Sequence, residues 1–247
     1  MTRWALVAIG LGAYVATLVA IAPATLIDAG LQQASNGRLR LAQAQGTIWA
    51  GSGLIEFRDA PGRNAIATPV SWRVLPASLW RARLVCAVGL DPSGKPFPVT
   101  LSLSRIELMN ADISLPAEVL GLAVPKLAPL GLTGDVLIHM ARLSIARNAV
   151  DGNAILQWRA AGSALTPVSP LGDYEIRLDG EGTSVHAYLR TIEGPLQLDG
   201  KGSWTLGNNP AFLAMARVPP EHQQQLAPLL RLIAIERGEG RFELQLN

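Results

Sequence analysis

The sequence has little from which the common kinds of active site are built. Its one cysteine, Cys86, cannot form an internal disulfide or a CxxC pair, and we expect it to be a small buried apolar side chain. None of the motifs GxSxG, HExxH, GxxxxGK[ST] or GxGxxG is present. The three histidines, His139, His186 and His222, have no metal-ligand spacing. We therefore predict no catalytic, cofactor-binding or metal-binding residues, and no enzyme.

Two pairs of acidic residues are the nearest approach to acid–base chemistry. Asp173 and Glu175 alternate in sequence, as do Asp179 and Glu181, so each pair would share one face of a strand. Paired carboxylates can act as general acid and base. Both pairs lie near turn-forming residues, however, and the sequence favours solvated positions beside a hairpin turn.

Charge is also scarce. Charged residues make up 16% of the 247 residues, against roughly 25% in an average soluble protein. The 21 basic and 19 acidic residues give a net charge of +2, without a block of five or six like charges. This balance argues against a nucleic-acid partner, and no feature indicates a small-molecule substrate.

Apolar residues are concentrated at the start of the chain. Residues 4–22 contain no charge in nineteen positions, which at about 1.5 Å per residue nearly matches a hydrocarbon core of about 30 Å. Arg3 precedes this run and Asp28 is the first charge after it, an asymmetry that places the N-terminus in the cytoplasm. Trp4 then lies at the membrane interface. We predict an uncleaved anchor surrounded by membrane lipids.

A cleaved signal peptide is the alternative, because the small residues at 20–22 and 22–24 resemble cleavage sites. The anchor interpretation divides the chain into four parts. These are a cytoplasmic start (1–3), a transmembrane anchor (4–22), a juxtamembrane segment that begins as a short helix (23–36), and a periplasmic β-rich domain (37–247).

After the anchor the apolar pattern has a period of two, which predicts strands of the antiparallel type. Short turn-forming stretches separate them at 91–94, 148–153, 179–182, 193–195 and 199–202. We predict a mainly β fold: a hairpin-rich, curved antiparallel sheet or a sandwich. Leu101, Leu178 and Leu189 are assigned to its inner face, and Arg177 and Arg190 to its outer face. The alternating apolar sets are Leu84, Cys86, Val88 and Leu90; Val99, Leu101 and Leu103; Ile106 and Leu108; Tyr174, Ile176 and Leu178; Val185, Ala187, Leu189 and Thr191; and Phe242, Leu244 and Leu246.

A Gly-x-Leu-x-Leu pattern followed by Gly and Trp occurs at 194–204 and, more loosely, at 37–49. We interpret each stretch as one hairpin with leucines on the buried face and glycine at the turn. Trp49, Trp72, Trp158 and Trp204 all fall in strand patterns and are expected in the core.

Three segments break the strand pattern. Residues 76–80 and 115–122 predict one or two helical turns each. In the third, Leu226, Leu229, Leu230 and Ile233 stand at helical spacing, and Gly238 is placed to end the helix. Pro228 requires that helix to begin near Leu226 or to bend there. Its apolar stripe should cover one end or open face of the sheet.

These pieces together resemble the type II secretion system protein N family. The most specific are GPLQLDGKGSW at 194–204 and the GTIW at 46–49, and the similarity spans nearly the whole chain. The stretch SWRVLPASLWRARLVCAVGL at 71–90 is also similar to the wider AsmA-like group of inner-membrane β-rich proteins. The family has no catalytic residues to carry over.

The resemblance implies an accessory component of the inner-membrane platform of the type II secretion system, with other secretion subunits as partners. Exposed strand edges or the C-terminal helix would dock those partners. The AsmA-like similarity supports an alternative: a lipid-binding or lipid-transfer protein that holds acyl chains on a concave sheet. An enzyme acting on cell-wall glycan is a third hypothesis, which no sequence feature favours.

Overall fold

The computed structural model describes residues 3–58, 65–81, 83–90, 95–208, 211–238 and 240–246. Four α-helices and fourteen strands make up this part of the chain, together with short 3₁₀ helices at Pro76–Arg81, Pro125–Leu130 and Pro220–His222. The α-helices are α1 (Arg3–Ala20), α2 (Thr25–Ala34), α3 (Glu118–Ala123) and α4 (Gln223–Ile233). The strands are β1 (Leu39–Gly46), β2 (Ala50–Arg58), β3 (Ala65–Leu75), β4 (Arg83–Gly89), β5 (Phe97–Ser102), β6 (Arg105–Pro116), β7 (Leu132–Ala146), β8 (Ala149–Ser163), β9 (Gly172–Glu181), β10 (Ser184–Glu193), β11 (Gln197–Thr205), β12 (Phe212–Arg217), β13 (Ala234–Gly238) and β14 (Arg241–Leu246).

All fourteen strands belong to one antiparallel sheet. Each strand pairs with the next in sequence, except that β14 lies between β12 and β13. The sheet is not closed, so β1 and β13 are its two edges. The prediction of a mainly β, hairpin-rich antiparallel fold is confirmed, and the sandwich alternative is wrong because there is a single sheet.

The sheet has one apolar face, which continues across its strands. Residues directly opposite each other in paired strands lie on the same face. The register from β6 to β13 places in one row Ile113, Ile138, Leu156, Ile176, Leu189, Gly200, Ala214, Leu244 and Ala234. A second row from β3 to β11 consists of Val74, Cys86, Val99, Leu108, Leu143, Gly152, Gly180, Val185 and Trp204. We call this side the apolar face and the other side the polar face.

Helices cover the two ends of the apolar face. Ile27 and Leu31 of α2 pack over a cluster in β1, β3 and β4 that includes Leu41, Trp72 and Cys86. At the other end, leucines of α4 and of the α3 region pack against β7, β12 and β14. The prediction that the C-terminal helix covers part of the sheet is confirmed, as is the burial of Cys86.

The sheet is also curled. Helix α3 follows β6, yet it contacts β2. Four strand spacings of about 4.8 Å separate β2 from β6 in a flat sheet. A short helix reaches across that distance only if the sheet bends toward the apolar face.

Strand β11 corrects the hairpin interpretation of 194–204. The predicted turn at 199–202 lies inside one continuous strand. Gly200 and Gly202 are there because a side chain would collide with the neighbouring strand: a Cβ on Gly202 would lie 2.6 Å from Cδ2 of Phe212. In the 37–49 stretch the hairpin is real, and Gly46 has the positive φ of 89° that its turn requires.

Other boundaries also differ from expectation. Helix α4 begins at Gln223, so Pro228 lies inside it, and it ends at Ile233 because β13 follows at once and pairs with β14. Gly238 therefore ends a strand. Leu103 lies in the β5–β6 turn and not on the face of a strand. Of the stretch 148–153 only the first residue is in a turn, and of 179–182 only the last. The predicted turn at 91–94 lies outside the described residues.

Several shorter elements match expectation. The 3₁₀ helix Pro76–Arg81 occupies the first predicted helical segment, whereas in the second only Glu118–Ala123 is helical and 115–116 still belong to β6. Helix α2 lies within the predicted juxtamembrane segment.

Helix α1 projects apolar side chains that the fold does not cover. Eight of its large apolar side chains are exposed, from Trp4 at 84% to Val19 at 47%. They are Trp4, Val7, Ile9, Leu11, Tyr14, Val15, Leu18 and Val19. None of the helices in the described ranges combines the length and the hydropathy that crossing a membrane requires.

Candidate functional site

The middle of the apolar face is only partly covered. Between the two helix-covered ends, a small cluster is centred on Phe97, Ala111 and Met140. Beyond it, toward the β5–β6 turn, a row of five apolar side chains crosses β4 to β8, and its three central members are exposed. The row is Leu84, Leu101, Ile106, Ile145 and Val150.

The residues assigned to the two faces lie where the sequence placed them. Leu101, Leu178 and Leu189 are on the apolar face, and Arg177 and Arg190 are on the polar face. Leu178 and Leu189 are half-buried, so this part of the face is neither a dry core nor a free surface.

Helix α1 is joined firmly to the sheet through the β1–β2 turn. The indole Nε1 of Trp49 donates a hydrogen bond of 2.8 Å to the carbonyl oxygen of Val19, in the last turn of α1. The backbone N–H of Ile48 donates to Ala22 at 3.0 Å. Carbonyls at a helix C-terminus lack helical partners, and these contacts satisfy two acceptors at the end of α1 and attach it to the β1–β2 turn.

The four tryptophans expected in the core differ in their burial and in their contacts. Trp49 lies at the turn and binds α1, so its assignment to a strand is wrong. Trp72 is buried, and Nε1 donates to the carbonyl of Thr47 at 3.1 Å. Trp158 and Trp204 are in strands but only half-buried. Trp158 packs against Tyr174 with ring centroids 5.7 Å apart.

The edge strand β1 is closed by α2. The backbone N–H of Leu41 donates to Oδ1 of Asp28 at 2.8 Å, and that of Leu39 donates to Oγ of Ser35 at 2.9 Å. The amide of Gln32 donates to the same Asp28 carboxylate at 2.8 Å, and this bond is the main cause that lowers the pKa of Asp28. Two N–H groups of the edge are thus unavailable to an added strand.

The other edge strand, β13, is open to solvent. Its four residues 235–238 are exposed, and Ile235 is one of them. Leu232, at the end of α4 just before β13, is also exposed. An exposed edge next to apolar side chains is the kind of surface to which an extended partner segment adds as a further strand.

The carboxylate of Glu175 is the most buried charge on the polar face. Its residue is 7% exposed, and Oε1 accepts from Nε of Arg190 at 3.0 Å. A second arginine, Arg177, is 3.9 Å away, and Gln157 donates to Oε2 at 3.5 Å. The expectation of a solvated Glu175 is therefore wrong: the carboxylate is paired with Arg190 on the neighbouring strand β10 and lies close to Arg177 on its own strand. Its companion Asp173 accepts the backbone N–H of Ala160 at 2.8 Å.

The remaining titratable candidates are dispersed. Asp179 and Glu181 share the polar face of β9, where Asp179 lies opposite His186 of β10. His139 is 2.6 Å from Asp112 at an exposed site on β7, and His222 ends the 3₁₀ helix before α4. Within the described ranges, no three His, Cys, Asp or Glu side chains come together as metal ligands.

Two further groups have pKa values shifted by burial. Burial raises the pKa of the Cys86 thiol. Burial, assisted by the Asp173 carboxylate, raises the pKa of the Tyr174 hydroxyl, which donates to the carbonyl of Leu196 at 2.9 Å. Both groups stay protonated and serve packing.

Sequence reasoning missed the closure of β1 by Asp28 and Ser35, and the strand β13. Alternation alone does not show which strands are edges. The one available signal for β1 was the short polar helix immediately before it, with Asp28 in its first turn.

The described part of the chain is thus a mainly β protein built on one open, curled antiparallel sheet with one apolar face, one closed edge and one open edge. The family model described as type II secretion system (T2SS), protein N matches residues 37–245. The chain therefore belongs to the type II secretion system protein N family, an accessory family of that system and not a known enzyme family. Searches of curated proteins and of solved structures gave no match. Membership indicates a part in type II secretion and association with other components of the system.

Proposed function

We propose that the chain is an accessory inner-membrane component of the type II secretion system whose periplasmic sheet supports the export of folded proteins. The observation that carries the proposal is the extent of the family match. Residues 37–245 coincide with the sheet, which runs from Leu39 to Leu246. The family-defining part of the molecule is thus the open sheet and not a local motif.

The proposal includes α1 as the membrane attachment, with Arg3 toward the cytoplasm. Its eighteen residues reach about 27 Å at 1.5 Å each, a few ångströms less than an average hydrocarbon core. Local thinning of the bilayer accommodates such a mismatch at modest cost. Ala22 and Ala24 are buried, and Ala24 belongs to the cluster beneath α2, so we place the end of the anchor at Ala20 and not at the expected residue 22.

Docking of a secretion subunit is assigned to the β13 edge. The stripe of α4 is not available for that role because Leu226, Leu229 and Leu230 are buried in the sheet. The β1 edge is closed by Asp28 and Ser35. The exposed Ile235 and Leu232 remain as the apolar contacts beside an open edge.

A secretion assay tests this function. Deleting the gene should reduce release of a type II substrate, and the intact chain should restore it. Ile235→Asp should restore it poorly and should lose co-purification with the platform subunits. Ile192→Asp is the matched control, because Ile192 is 52% exposed but lies in β10, which is paired on both sides. Normal secretion without the gene contradicts the proposal.

The half-covered middle of the apolar face favours a second candidate function, the holding of lipid acyl chains. Leu101, Ile106 and Ile145 are exposed there although they continue a face that is buried at both ends. An acyl chain would cover them without any change in the fold.

A further inference from the structure

The β5–β6 turn carries a side chain that the fold leaves entirely in solvent. Leu103 is 99% exposed at the tip of this hairpin. The exposed row Leu101, Ile106 and Ile145 begins directly beside it on the apolar face. Single exposed leucines are common, but one at a turn tip that continues into an exposed apolar row is a contact surface.

Arginines surround this tip. Arg83 lies opposite Ser102 in the β4–β5 pair, and Arg105 begins β6 directly after the turn. Arg147 lies exposed in the next turn at the same end, between β7 and β8. Two acidic residues lie beside them. The carboxylate of Glu107 is 3.8 Å from Arg105 with both side chains partly exposed, a weak pair. Asp151 lies in the same cross-strand row on β8, where its Oδ1 accepts the backbone N–H of Gly182 at 3.0 Å.

A depression of about 290 Å³ joins these groups on the polar side of the tip. Guanidinium groups and hydroxyls line it, which is the chemistry that binds a phosphate group. Its lining includes Arg83, Thr100, Ser102, Leu103, Arg105 and Glu107.

This tip lies at the same end of the sheet as the attachment of α1. Consecutive antiparallel strands place alternate turns at the same end of a sheet. The β1–β2 turn, to which α1 is bound, therefore shares its end with the β3–β4, β5–β6 and β7–β8 turns. The β9–β10 turn at this end follows the acidic Glu181, so the arginines are concentrated in the middle of the sheet.

We propose that Arg83, Leu103, Arg105 and Arg147, the basic rim, lie against the surface of an anionic membrane. Leu103 enters the boundary between headgroups and acyl chains, and the arginines bind lipid phosphates. Three arginines outnumber the two acidic residues Glu107 and Asp151 at this surface, so its net charge is positive and anionic lipid complements it. An apolar residue inside a basic patch is the pattern of interfacial binding. The inference deepens the proposed function, because α1 would hold the rim at the membrane.

Fluorescence from the full chain reconstituted in vesicles tests this contact. Leu103→Cys carries an environment-sensitive dye, and Ile192→Cys, exposed toward the opposite end, is the matched control. The unmutated chain should take up no dye, since Cys86 is buried. In vesicles of phosphatidylglycerol and phosphatidylcholine, emission at position 103 should shift to the blue relative to detergent, and quencher-bearing lipids should reduce it. The dye at position 192 should show neither effect.

Charge-reversal variants test whether the membrane contact requires the arginines. Arg83→Glu with Arg105→Glu should abolish the shift at position 103, whereas Arg231→Glu on α4 should preserve it. Phosphatidylcholine alone should give a smaller shift. If the chain floats with the vesicles but the dye at position 103 stays in solvent, the proposed membrane contact of the basic rim is wrong, whereas the membrane attachment by α1 still holds. If the chain does not float with anionic vesicles, both the rim contact and the α1 anchor are wrong. If the blue shift is unchanged in the Arg83→Glu, Arg105→Glu double variant, anionic lipid is excluded as the partner.

Discussion

Replacement of Leu230 by alanine measures how much the α4 lid stabilises the sheet. Leu230 is 1% exposed in the cluster that joins α4 to β12 and β14. The change removes three carbon atoms, which at about 0.8 kcal/mol each gives about 2.4 kcal/mol of lost burial. The cavity left behind adds to this, and buried Leu→Ala changes typically total about 2.7 to 5 kcal/mol. We expect a loss near 3 kcal/mol.

Urea unfolding followed by tryptophan fluorescence measures this loss. With a slope of about 2 kcal/mol per molar, the midpoint should fall by about 1.5 M. Leu232→Ala is the matched control on the same helix, because Leu232 is 63% exposed and should change the free energy of unfolding by less than about 0.5 kcal/mol. Equal midpoints for the two variants would refute the packing of α4 onto the sheet.

Three further predictions concern the sheet and its first edge. Glu175→Gln leaves Arg190 without its carboxylate and should cost about 1 kcal/mol in urea unfolding, whereas Glu236→Gln in exposed β13 should cost nothing measurable. Gly202→Ala should destabilise by about 1 to 3 kcal/mol because its Cβ meets Phe212, and Gly30→Ala, in open space on α2, should stabilise by about 0.5 to 1 kcal/mol; the opposite order of the two midpoints would contradict the register of β11 and β12. The pKa of the Asp28 carboxyl is lowered in the folded chain. The stabilisation by this carboxylate is therefore complete above the ordinary pKa of about 4 and is lost as the pH falls through the lowered pKa. The stability difference between the chain and Asp28→Asn should therefore shrink below about pH 4, and a difference that grows there would be inconsistent with the carboxylate cap on β1.

Local alternation was enough to predict most strands. In β4, β9, β10 and β14 the predicted apolar residues lie on one face, since a period of two has only one consistent orientation in a half-buried sheet. The sequence also predicts that α4 covers the sheet, because its leucines require an apolar partner.

Contacts between distant residues account for what was missed. Whether a Gly-rich stretch is a turn or a strand depends on its neighbour: Gly202 is in a strand because the ring of Phe212 occupies the space beside it. The burial of Glu175 depends on Arg190, fifteen residues away. The edges of a sheet are likewise a property of strand order, which alternation does not encode.

Photo-crosslinking in secreting cells tests the central claim most directly. Photoreactive residues would replace Ile235 at the open edge, Leu178 and Leu189 on the apolar face, and Arg177 on the polar face as the control. The proposed function predicts an adduct between position 235 and another secretion subunit, and protein adducts only at 178 and 189. Lipid adducts at both 178 and 189, with none at 177 and no protein adduct at 235, would contradict it and establish the apolar face as a lipid site.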